Sequence, residues 1–211
     1  MITRPPYENT IVKDLKTLEE IYGQPAEPSV LKEVDFIHPL YRPYIEATPF
    51  VALATYSADG MDVSPRGDEP GFIHIEDDHT LLLPDRRGNN RIDSMRNLLI
   101  NPAIALLVLV PGINETLRIN GHAEILIDEE TLARFKYNNA LPRSVLRIHV
   151  ERVFFQCGRA LIRSGLWENK YLADKSTIPA PGQILKSISH QQFDGDKYDA
   201  QLPERIMKTL Y

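Results

Sequence analysis

Between residues 50 and 155 short apolar runs alternate with turn-forming residues, and helical spacing rarely intervenes, a pattern that few folds accommodate. Phe50–Ser57 reads as a buried strand, and Ala58-Asp59-Gly60 supplies a hairpin turn into a second strand at 61–65. Residues 72–75 and 80–84 read as two more strands around a charged turn at 76–79. Residues 103–110 are almost continuously apolar, as expected of a strand buried on both faces. Next, Leu117, Ile119, Ala123, Ile125 and Ile127 alternate with Thr116, Arg118, Asn120, His122 and Glu124, which predicts a long strand with one wet face. Leu146, Ile148 and Val150 alternate in the same way with Arg147, His149 and Glu151, leading into Val153-Phe154-Phe155. Six or seven strands at hairpin spacing favour a closed antiparallel barrel, whereas a doubly wound sheet needs a helix between successive strands.

Helices are predicted mainly at the flanks. Ile11, Leu15, Leu18 and Tyr22 share one helical face, ended by Gly23 and Pro25, and Pro28 and Pro39 bracket a short helix carrying Val30, Leu31 and Val34. Inside the strand region, Ile92, Met95 and Leu99 predict a helix running to Ile100, stopped by Asn101-Pro102. Asp128-Glu129-Glu130 resembles another helix start. After Trp167 the strand signals stop. The expected organisation is an N-terminal helical segment packing on the barrel (1–48), a barrel domain (49–167) and a C-terminal tail or helical extension (168–211) that wraps the surface or a partner.

Composition narrows the functional classes. A net charge of −5 argues against a general nucleic-acid-coating role, though not against a local cationic pocket. The single cysteine, Cys157, excludes an intrachain disulfide; at the end of an apolar strand it reads as a packed core thiol. The six histidines show no metal-ligand spacing, so no metal site is expected. No basic-then-apolar leader and no apolar run of about 18 residues is present, which points to a cytoplasmic protein without a transmembrane helix.

The informative stretch is Pro84-Asp85-Arg86-Arg87-Gly88-Asn89-Asn90-Arg91, where strand gives way to helix. Guanidinium forks, neutral amide donors and a helix N-terminus are what a phosphate monoester needs. A solvated basic turn is the alternative. Ser64-Pro65-Arg66-Gly67-Asp68 is a second cluster, so Arg66 can share an anion with Arg91 while Ser64 donates a hydroxyl; a capped turn with an Arg66–Asp68 pair explains it equally well. Thr116, Arg118 and Asn120 share one strand face, either facing water or, for Thr116 and Arg118, bordering a ring and a substrate cavity.

The ordered set FVALATYSADGMDVSPRGD, LLLPDRRGNNR, NPAIALLVLVPG and ETLRINGHAEI resembles the FMN-binding split barrel, an antiparallel Greek-key barrel, of the pyridoxamine 5′-phosphate oxidase-like superfamily, and more narrowly a bacterial branch with SPRGD and RxGNNR-type motifs. It spans about residues 45–167. The resemblance implies a homodimer with FMN at the subunit interface. It implies that Arg91, Asn89 and Asn90 meet the FMN phosphate, with Arg66 and Ser64 on the strand beside it. Thr116 stands where authentic oxidases have a glutamine near the flavin ring, and Arg163, Ser164 and Trp167 would approach from the partner subunit. The basic and aromatic C-terminal signature that holds pyridoxal phosphate is missing, so the resemblance does not extend to vitamin B6 oxidation.

Flavin chemistry also explains why no catalytic dyad or triad is evident, because the isoalloxazine itself accepts the electrons. The expected activity is oxidation or reduction of a small organic molecule, with no catalytic side chain assigned. The alternatives are a carrier of flavin, haem or the deazaflavin F420, with His122 as the histidine available to haem, and a metal hydrolase using Asp68 or Asp85.

Overall fold

The computed structural model describes residues 10–211, which divide into two compact units meeting between Glu33 and Val34. The first holds α1 (Leu15–Tyr22) and α2 (Glu27–Leu31). Helix α1 starts at Asp14 rather than at Ile11, because the Asp14 carboxylate accepts the Thr17 amide N–H at 2.9 Å and caps it. Helix α2 stops before Val34, which belongs to the second unit and forms an isolated bridge to Val153 within it.

The second unit is one antiparallel sheet of seven strands flanked by helices. In chain order these are α3 (Arg42–Ala47), β1 (Phe50–Ser57), β2 (Gly60–Gly67), β3 (His74–Asp77), β4 (Thr80–Asp85), α4 (Asp93–Ile100), β5 (Ala103–Leu109), β6 (Thr116–Leu126), α5 (Glu129–Arg134), β7 (Ser144–Gln156), α6 (Arg159–Ser164), α7 (Pro181–Ile188) and α8 (Gly195–Lys208). The spatial order β2-β1-β5-β6-β7-β4-β3 places β4 beside β7, so β4, β7, β6 and β5 form a Greek key. The fold is mainly β with flanking helices, as the alternation of strands and turns predicts. Strand β2 runs two residues past 65; Pro65 is tolerated there because β2 is an outer strand of the order. Strand β3 lies two residues later than expected and takes in half of the predicted turn.

Val51, Leu53, Leu81, Leu83, Leu106, Val108, Leu117, Ile119, Leu146 and Ile148 fill the core, each almost wholly buried. Strand β5 departs from expectation: Ile104, Leu106 and Val108 are buried, but Leu107 on the opposite face is 37% exposed. Its continuous apolarity therefore reflects two apolar faces, of which this chain covers one. Cys157 is likewise exposed rather than packed, because β7 ends one residue before it.

Helix α4 closes one side of the sheet. Asn97 locks it to the β1–β2 hairpin: its amide donates to Thr55 Oγ1 at 3.2 Å and to the Gly60 carbonyl at 3.3 Å, and its carbonyl accepts from Ser57 Oγ at 2.7 Å. Among the described residues no helix is long and apolar enough to cross a membrane.

Candidate functional site

Strand register decides which polar side chains meet. Val51, Leu53 and Thr55 face the core, and their β2 partners are Arg66, Ser64 and Asp62. Those three therefore point toward the covered side of the sheet, under the start of α4. The Asp62 carboxylate accepts from Ser64 Oγ at 2.8 Å and from Ser94 Oγ at 2.5 Å, and Ser94 Oγ accepts from Arg66 Nη2 at 3.3 Å. Arg66 Nη1 donates to the Pro65 carbonyl at 3.0 Å. Its Nε lies 3.3 Å from Asp85 Oδ1 yet is buried without a well-directed hydrogen bond.

Asp85 is the last residue of β4, about three-quarters shielded from solvent. Burial pushes its carboxyl above the usual carboxylate range, opposed by the Arg66 charge. The following turn carries Arg86, Arg87, Gly88, Asn89, Asn90 and Arg91. Asn89 Oδ1 accepts the Arg91 backbone N–H at 2.9 Å, and Asn90 takes the left-handed conformation at φ 59°. Helix α4 then begins at Ile92 with no side-chain cap hydrogen bond, which leaves its first amide N–H groups for another acceptor.

These pieces enclose a cavity of about 600 Å³. Its wall takes Arg66 from β2, Arg86, Arg87 and Arg91 from the turn, and Arg143 from the residue before β7; Phe72, Ile92 and Met95 supply apolar surface. Arg143 arrives because β4 pairs with β7, Asp85 opposite Ser144, and its backbone N–H donates to the Asp85 carbonyl at 2.9 Å. Three of the five guanidiniums are held by carboxylates: Arg66 by Asp85, Arg86 by Asp68 and Arg91 by Asp93. Arg87 and Arg143 make no ion pair among the described residues.

Arg86 has the most elaborate support. Its Nε donates to Asp68 and its Nη1 donates to the Phe135 carbonyl at 2.6 Å. The rings of Tyr137 and Tyr211 meet at 4.4 Å, tilted by 37°, and each stands about 6 Å from the guanidinium. Tyr211 Oη donates to Asp68 at 2.9 Å; burial, then that carboxylate, pushes its phenol up to about 12.

Of the residues expected at a site, Arg66, Asn89, Asn90 and Arg91 line this cavity, and Ser64 sits one strand position behind with its hydroxyl given to Asp62. The alternative reading of a capped turn with an Arg66–Asp68 pair does not hold: Asp68 pairs with Arg86, and Arg66 with Asp85. Thr116, Arg118, Arg163, Ser164 and Trp167 do not line it. Arg118 registers with Leu107 and Phe154 on the outward face, its guanidinium 5.0 Å over the Phe154 ring, and Thr116 shares that face but is buried. Ser164 Oγ donates to the Leu161 carbonyl at 3.0 Å, Arg163 is exposed, and Trp167 Nε1 donates to the Ile113 carbonyl at 2.8 Å. His122 lies outside the cavity, stacked on His149 at 5.0 Å and paired with Glu151 at 3.2 Å. Sequence reasoning missed Arg143, since only the β4–β7 pairing brings it in, and it gave Asp85 no role beside Arg66.

No curated protein matches the chain. Among solved structures, HupZ from Group A Streptococcus is 24% identical, with 54% of this chain and 89% of that one covered at a TM-score of 0.43. An FMN-binding protein from Syntrophomonas wolfei is 14% identical, covering 67% and 95% at 0.42, and General Stress Protein 26 from Bacillus anthracis is 17% identical, covering 54% and 88% at 0.37. The family model described as Pyridoxamine 5′-phosphate oxidase matches residues 37–157, which include every strand and the cavity turn. With more than half its length matched and the barrel order in place, this chain belongs to the pyridoxamine 5′-phosphate oxidase family and has its split-barrel fold.

Proposed function

We propose that this chain is an FMN-binding flavoprotein that oxidises or reduces a small organic substrate, acting as a homodimer with the cofactor at the subunit interface. One observation carries the proposal: five arginines and an Asn-rich turn surround a single cavity of about 600 Å³. That volume suits a ligand of nucleotide size.

The donor set fits a mononucleotide. Arg87 and Arg143 are without acidic partners among the described residues, the turn at 88–90 offers amides, and α4 offers uncapped N–H groups. Phe72, Ile92 and Met95 give the ring an apolar wall that excludes water. Bound flavin supplies the electron-pair chemistry from its own ring system. The protein's part is to clasp the phosphate with Arg91, Asn89, Asn90 and Arg66, and to orient the ring against the substrate.

An uncovered sheet face supports the dimer. Outward from β2, β1 and β5, Met61, Val63, Tyr56 and Leu107 are exposed around the small side chains of Ala52, Ala54 and Ala105. A contiguous apolar strip of this kind is rare on a monomer's surface. In the dimer Thr116, Arg118, Arg163, Ser164 and Trp167, which lie away from this chain's own cavity, serve the partner's cofactor. Trp167 does so through its ring face, since its N–H is already engaged.

The visible spectrum with added FMN tests the assignment. A bound-flavin band and quenched FMN fluorescence are expected; neither appearing at micromolar protein sinks the proposal. Stopped-flow reduction by NADH or NADPH then separates an enzyme from a carrier.

A further inference from the structure

Among the residues lining the cavity, Asp85 is the sole carboxylate. The acids that hold Arg86 and Arg91, namely Asp68 and Asp93, do not form part of its wall. An anion entering the cavity therefore meets negative charge at one place, the Arg66–Asp85 pair.

That pair is built to be exchanged. Arg66 is braced by the Pro65 carbonyl and Ser94 Oγ through its two terminal nitrogens, while its buried Nε faces Asp85 at 3.3 Å without a directed hydrogen bond. The guanidinium thus keeps its place when Asp85 is no longer its counter-charge, and retains donor capacity for a second acceptor. Two anions sharing one guanidinium in a shielded site repel each other, and the carboxylate relieves this by taking a proton.

We propose that Asp85 couples anion binding in this cavity to uptake of one proton: an incoming phosphate takes over Arg66, and an Asp85 carboxylate oxygen accepts a proton from solvent. The proposal rests on the cofactor assignment above, which makes the phosphate group of FMN the incoming anion.

The surroundings leave Asp85 to do the titrating. Sharing the cavity wall with it are Arg66 from β2, Arg86, Arg87 and Arg91 from its own segment, Arg143 from before β7 and uncharged Met95 from α4, while Ser94 sits behind Arg66. Asp62 is reached only through Ser94, and no histidine lines the wall. Arginines stay charged across the accessible pH range. Burial already favours the neutral form of Asp85, and Arg66 is what opposes it. Losing Arg66 to a phosphate removes that opposition, so the group binds its proton more tightly in the complex than before. Affinity for the anion then strengthens as pH falls through the interval between the two values.

The test compares the wild type with Asp85→Asn, and with Asp85→Ser as a second variant, after melting curves confirm folding. Affinities for FMN and for sulfate are measured between about pH 5 and pH 8. Sulfate keeps its charge throughout, which removes the phosphate's own titration. Wild-type affinity for sulfate is expected to fall about tenfold toward pH 8 while both variants stay level and bind more tightly there. The FMN ratio of variant to wild type should follow the same trend. Parallel profiles, weaker binding by the variants at pH 8, or no binding of either ligand overturn the proposal. Sulfate linkage without FMN binding sinks the cofactor assignment alone; FMN binding without linkage sinks this inference alone.

Discussion

Arg86 Nε donates to Asp68 Oδ2 at 2.7 Å, joining the end of β4 to the segment leaving β2 in an ion pair whose acid is 4% exposed. The contact fixes the cavity rim, because the chain turns into the arginine- and asparagine-rich loop directly after Arg86. Replacing Arg86 with alanine strands the Asp68 carboxylate in a shielded position. Urea unfolding is expected to show a loss on the order of 3 kcal/mol, and Arg86→Lys should recover only part of it. A loss within measurement error would mean that water replaces the guanidinium.

The same acid gives Tyr211 a distinctive pH signature. Burial and the hydrogen bond to Asp68 raise its phenol from the ordinary 10 to about 12. The folded state therefore keeps a proton that the unfolded chain releases first. The contribution is fully present below pH 10 and is lost as pH rises from there through about 12. Tyr211→Phe should lower stability by about 1 kcal/mol at neutral pH and flatten the decline above pH 10.

For the cofactor, Arg91→Ala is expected to weaken FMN retention about tenfold to a hundredfold while the melting temperature barely changes. Riboflavin, which lacks the phosphate, should bind variant and wild type alike. Fluorescence quenching with both ligands reads the difference, and equal losses for the two would move the phosphate away from this turn.

Gly121 sits at the bulge where β6 and β7 shift register. A Cβ there would meet the His149 carbonyl oxygen at 1.9 Å, a backbone atom that cannot swing aside. Gly121→Ala should cost about 3 kcal/mol or abolish soluble expression, as overpacking against backbone does. Chemical denaturation showing a near-neutral change would place the strands farther apart than this.

Val63 is 67% exposed on the outward face of β2. Val63→Glu should leave the fold intact and, for the proposed dimer, shift the mass from dimer to monomer in light scattering after size exclusion; a monomeric wild type would refute the proposed dimer. An unchanged mass would move the dimer contact elsewhere.

How much of this was legible beforehand follows from the range of each interaction. The β1–β2 hairpin is written locally in an apolar run followed by the Ala58-Asp59-Gly60 turn signal, so its strands are readable. The Asn89-Asn90-Arg91 turn is equally local, and it does border the cavity. Strand β5 misled because apolarity reports that a face avoids water without saying which body covers it. Arg143 and Asp85 were out of reach for a different reason: one reaches the cavity through the pairing of β4 with β7, and the other has meaning only beside Arg66. Thr116 and Arg118 share a strand face as alternation predicts, but alternation cannot tell which face borders which cavity.

The pairing of β4 with β7 also dictates when the cavity can exist. A nascent chain that has emerged through β6 holds the arginine turn and Arg66 but lacks β7, the strand that joins β4 to the rest of the sheet, and Arg143 is still to come. Ligand cannot nucleate folding of such an intermediate; it can only trap the finished barrel by mass action. Loading is thus a late event in the molecule's life, and a shortage of ligand during synthesis should show as faster turnover of completed chains rather than as failed assembly.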